Sequence, residues 1–113
     1  MKAILRSAYA ILLCVTTSAS SIAAADEIRP VISNGRDLAS KYCSRCHGVT
    51  TDDVSQHPQA PVFRTLGKRY PIESLEEALV EGIFTGHLDM PEFRLQLDDI
   101  DAMISYLRSI QQK

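Results

Sequence analysis

Apolar and small residues recur with a helical period in three places along this chain. Gly35, Leu38, Ala39, Tyr42, Cys43 and Cys46 stand at offsets 0, 3, 4, 7, 8 and 11, which is one face of a helix. The spacing predicts a helix over 35–46, capped by Ser33 or Asn34. Leu75, Ala78, Leu79, Gly82 and Ile83 repeat the pattern. Ser74 with Glu77 reads as a capping box, and Glu76 and Glu77 suit the positive end of the helix dipole. A third stripe of Ile100, Met103, Ile104, Leu107 and Ile110 predicts a last helix from Asp98 or Asp99 to about Ile110, with Arg108 near its negative end. Between them, Gly48, Pro58, Pro61, Gly67 and Pro71 break up residues 48–72, where only Phe63–Leu66 admits a short helical turn. Residues 84–96 form a second irregular stretch around Gly86 and Pro91. No strand-like alternation competes, so the fold class is all-α: three main helices and two long loops. Loops of that length in a small domain need something to wrap around.

The first 25 residues belong to a different pattern. Lys2 and Arg6 precede a short apolar run, Ala8–Val15, and Ala23, Ala24 and Ala25 stand just before Asp26 and Glu27. This is the layout of a signal peptide over 1–25, cut after Ala25, and it places the domain at 26–113. The apolar run is too short to span a bilayer. Cys14 sits inside that run behind Leu13, which is no lipoprotein site, and leaves with the leader. The chain so produced has 88 residues and two cysteines, Cys43 and Cys46, with no Trp and three Phe. Two cysteines make no disulfide scaffold, and so thin a core calls for a staple such as a buried cofactor. Without Lys2 and Arg6 the domain has ten basic and fourteen acidic residues, a net charge of −4, which argues against nucleic acid or anionic lipid as partner.

The chemistry lies in Cys43-Ser44-Arg45-Cys46-His47, the C-x-x-C-H spacing of c-type haem attachment. Thiols at i and i+3 of one helical turn face the same way and reach the two vinyl groups on one porphyrin edge. His47 follows and presents an imidazole to iron. A zinc site would need two more ligands at matching spacing, a thioredoxin-like pair would need a βαβ setting, and a disulfide across so short a loop gains little. For the sixth iron ligand the leading candidate is Met90, in Gly86-His87-Leu88-Asp89-Met90-Pro91: Pro91 extends and stiffens the backbone that would hold sulfur to iron. His87, His57 and Met103 are the alternatives, and an open sixth site is a fourth. Arg64, Lys68 and Arg69 form a small basic cluster that serves either the haem propionates, an acidic partner, or simply a solvated loop face.

With Cys43–His47 and Met90-Pro91 in view, the chain resembles the class I cytochrome c family, especially its small soluble bacterial members, over residues 33–111. The resemblance implies the cytochrome c fold, wrapped around one covalent haem c. It implies that Gly35 meets Tyr106 where the first and last helices cross. It also implies that a proline carbonyl after the motif, Pro61 with Pro58 as rival, accepts from His47. The chain departs from the mitochondrial proteins in its short loop region and its lack of a lysine-rich face. The expected function is a periplasmic one-electron carrier, not an enzyme, with His47 and Met90 as axial ligands. It would pass electrons from a dehydrogenase or quinol-oxidising complex to a terminal acceptor, as a monomer or as a subunit of a redox complex, without a membrane span of its own. A tightly bound haem subunit, or a ligand sensor or peroxidase with an open iron, are the rivals.

Overall fold

The computed structural model describes residues 20–82, 89–92 and 94–113. Most of the predicted leader lies outside these residues, as do Ile83, Gly86 and His87. The described residues form helix α1 (Ser20–Tyr42), a 3₁₀ segment (Phe63–Lys68), helix α2 (Glu73–Glu81) and helix α3 (Leu97–Ile110), with no strand among them. No helix of the described residues is long and apolar enough to cross a membrane.

The core is built around α3. Ile100, Met103, Ile104, Tyr106 and Leu107 are buried, and Ala39, Cys43, Val49, Phe63, Leu66, Ile72 and Leu79 close on them from the other segments. The period-3.6 stripe read from the sequence is the face that supplies this core. α1 crosses α3 at Gly35. A Cβ built at Gly35 would lie 2.0 Å from the Ala102 carbonyl oxygen and 2.7 Å from Tyr106 Cβ. Only the missing side chain lets the two backbones come so close.

Three helix starts differ from the sequence expectation. α1 begins at Ser20, so Ser33 and Asn34 are exposed interior positions, not caps. The alanine-rich stretch before them favours helix, and Ile32 packs on the core from the added turns. The same helix ends at Tyr42 and leaves Tyr42 43% exposed, so the inward face is Leu38, Ala39 and Cys43. α2 begins at Glu73, which puts Ser74 inside the helix and leaves the capping box unformed. Ile72 is buried and draws the helix start onto the core. The N–H groups of Ser74 and Leu75 donate instead to the carbonyls of Pro71 and Ile72, at 3.1 and 3.0 Å. α3 follows an extended Gln96, whose carbonyl accepts from Ile100 N–H at 3.0 Å; Asp98 and Asp99 sit in the first turn and not at the cap.

α2 is fastened to α3 at the surface. Arg108 Nε donates to Glu73 Oε1 at 3.0 Å. Glu73's own backbone N–H and the Arg108 guanidinium hold its carboxyl below the usual value.

Candidate functional site

The Cys43–His47 motif leaves α1 as a tight turn. Cys43 N–H donates to Ala39 O at 2.9 Å and so completes the last helical turn. Cys46 N–H and His47 N–H both donate to Cys43 O, at 3.1 and 2.9 Å. These two bonds hold i, i+3 and i+4 in the relation of one helical turn, though the regular helix predicted through residue 46 has already ended. Both thiols are unpaired: Cys43 is buried and Cys46 half-buried. Burial, with Cys46 alongside, pushes the Cys43 thiol up to about 11. A buried thiol of that kind is protonated at neutral pH and is no ready thiolate.

The turn is followed by a loop that folds on itself. The Asp53 carboxylate accepts from Val49 N–H and Thr50 N–H, each at 2.9 Å, and Gly48 N–H donates to Ser55 Oγ at 2.9 Å. Partial burial alone would raise the Asp53 pKa, but those N–H donors, the Thr50 hydroxyl and Arg64 outweigh it and bring it below the usual value. Tyr106 Oη, buried on α3, donates to Val49 O at 2.7 Å and ties the loop to the core.

His47 is held by the next segment. Its Nδ1 lies 2.8 Å from the carbonyl oxygen of Pro61. A carbonyl only accepts, so Nδ1 carries a hydrogen, and it is Nε2 that is left to offer a lone pair to a metal. The Phe63 ring lies 5.1 Å from the His47 ring, centroid to centroid, tilted by 43°. Phe63 N–H in turn donates to Gly48 O at 2.7 Å. An oriented imidazole beside two unjoined thiols on one turn is the donor set that a thioether-linked, iron-centred porphyrin requires. Among the described residues no group of three or more His, Cys, Asp or Glu could hold a bare metal ion.

The other candidates sit elsewhere. Met90 lies half-buried in a bend before α3, between exposed Asp89 and Pro91. Met103 is 3% exposed inside the α3 core. His57 has both ring nitrogens engaged: Nδ1 accepts from Gln59 N–H at 3.2 Å, and Nε2 lies 3.4 Å from Asp89 Oδ2. That pair joins the loop after the motif, where His57 N–H donates to Cys46 O at 3.1 Å, to the residue before Met90. Arg64 donates to the Asp53 carbonyl oxygen and lies 3.8 Å from its carboxylate, while Lys68 and Arg69 are exposed. The structure thus gathers Cys43, Cys46, His47 and Pro61 into one turn-and-loop unit. Phe63, Asp53 and the Tyr106 hydroxyl are parts of that unit which the sequence reading did not single out. The Thr50-to-Asp53 spacing was a usable turn signal; the Phe63 contact had none.

A helical domain with this turn docked beside its α1–α3 crossing defines a c-type cytochrome. The chain belongs to the family whose model is described as cytochrome c oxidase, cbb3-type, subunit III, which matches residues 30–107. Cytochrome c-552 of Bradyrhizobium diazoefficiens is 29% identical over 101 residues, which is 89% of this chain and 90% of that protein. No solved structure gives a significant match. The cofactor is therefore a covalently bound c-type haem with iron, and the chain is a c-type haem electron carrier.

Proposed function

We propose that this protein is a periplasmic one-electron carrier in which Cys43 and Cys46 hold the haem by thioethers, His47 is the proximal iron ligand and Met90 the distal one. The observation that carries the reading is the His47 ring: its Nδ1 is fixed on Pro61 O at 2.8 Å, which leaves Nε2 as the donor atom. Iron in the bound haem supplies the chemistry, the gain and loss of one electron. The chain's residues keep that exchange fast by holding position. Pro61 orients the imidazole, the tilted Phe63 ring lies against it, and Tyr106 pins the loop that follows. Met90 as a thioether ligand favours reduced iron and raises the potential. Electrons come from a dehydrogenase or quinol-oxidising complex and go to a terminal acceptor.

A second reading is favoured by the description of the matching family, which is that of an oxidase subunit: the same haem chemistry in a permanent complex. Gel filtration of native extract separates the two, since a free carrier elutes at the size of one chain and a subunit elutes with its enzyme. The carrier reading itself is tested by a redox titration of the purified protein with carbon monoxide added at neutral pH. A single reversible one-electron wave with no carbon monoxide adduct is expected. Ready binding of carbon monoxide to the ferrous protein would replace the carrier by a ligand sensor or peroxidase with an open iron.

A further inference from the structure

We propose that Gln111 is a positioning residue for the haem iron, a clamp at the end of α3 that fixes the segment holding His47; this rests on His47 being the proximal ligand. Gln111 is the first residue past α3. Its side-chain amide is used at both ends. Nε2 donates to Phe63 O at 2.9 Å and to Leu107 O at 2.8 Å, and Oε1 accepts from Gly67 N–H at 2.7 Å. The next residue repeats the attachment, Gln112 N–H donating to Arg64 O at 2.8 Å.

The Leu107 bond by itself is ordinary, since the last carbonyls of a helix need partners and an amide side chain supplies one. The other two bonds are not explained by capping. They reach 44 and 48 residues back in sequence, to the 3₁₀ segment, and hold it at its first residue and its last but one. Phe63 is the critical residue of that segment. Its N–H is bound to Gly48 O, directly after His47, and its carbonyl to Gln111. Its ring packs on His47, and Pro61, two residues earlier, holds Nδ1. The α3 terminus therefore sets where the Pro61 carbonyl stands relative to the imidazole. A strong Nδ1–H···O=C bond raises the basicity of Nε2 and favours Fe(III). Loosening the clamp weakens that bond and shifts the balance toward Fe(II).

Two variants of the holoprotein separate this role from simple helix capping. Gln111→Met keeps the length of the side chain and removes all three hydrogen bonds. Gln111→Lys restores donors for Phe63 O and Leu107 O, with a charge that suits a helix C-terminus. The readouts are the midpoint potential and, in the ferrous protein, solvent exchange of the His47 Nδ1 proton by NMR. In Gln111→Met that proton is expected to exchange on the order of tenfold faster. The Fe(II)/Fe(III) ratio at fixed poise should rise about threefold, which is about 30 mV for one electron. Gln111→Lys should recover at least half of both. If Gln111→Met yields no holoprotein, Gln111→Glu is read the same way, because it keeps the acceptor for Gly67 and loses both donors. A lowered melting temperature with potential and proton exchange unchanged would overturn the proposal and leave a cap. His47 ring signals without haem-induced shifts in the unsubstituted protein would instead remove the ligand assignment on which it rests.

Discussion

Met90→Ala should leave the haem attached and disable the carrier. On the proposed site, attachment runs through Cys43 and Cys46 and not through the Met90 side chain. With Met90 as the proposed distal ligand, the iron loses its soft ligand. The weak Fe–S charge-transfer band should vanish, and carbon monoxide should bind the ferrous protein. The potential should fall by on the order of 0.1–0.3 V, within the roughly 0.8 V that axial ligands govern. Met103→Ala serves as the control. Met103 is buried in the α3 core, so its loss should cost about 2–5 kcal/mol of stability and leave the band intact. The band lost in Met103→Ala but kept in Met90→Ala would reverse the assignment.

Gly35→Ala should be the most damaging single methyl group in the chain. The added Cβ has backbone, not a flexible side-chain end, in its way: the Ala102 carbonyl oxygen at 2.0 Å and its carbon at 2.6 Å. The helices must separate, and the separation spreads to Tyr106, which anchors the loop after the haem motif through Val49 O. Overpacking of this kind costs about 3 kcal/mol or more. In a domain this small that is roughly 10–20 °C in melting temperature. Thermal unfolding of the holoprotein, followed at the haem absorption, measures it. A shift of only a few degrees would mean that the crossing is looser than the structure has it.

What was readable in the sequence depended on how local each feature is. The three apolar stripes needed only the period of a helix, and α3 buries the stripe assigned to it. The Cys43–His47 turn needed only covalent spacing. The starts of α1 and α2 are not legible in capping residues because burial outweighs them: Ile72 pulls α2 forward past Ser74, and Ile32 rewards extra turns of α1 ahead of Ser33 and Asn34. The meeting of Gly35 with Tyr106 came from family resemblance, since nothing within either helix points to the other. Gln111 and Phe63 were invisible for the same reason. Each is a common residue whose role exists only once the 3₁₀ segment and the end of α3 lie side by side.

The most direct test is the intact mass of the protein made in a host able to mature such proteins, with a pyridine haemochrome spectrum of the same sample. The polypeptide should carry one haem, with the spectrum of two thioether links and with Cys43 and Cys46 closed to alkylation. A colourless protein with the mass of its amino acids alone, and both thiols open to alkylation, would contradict the account.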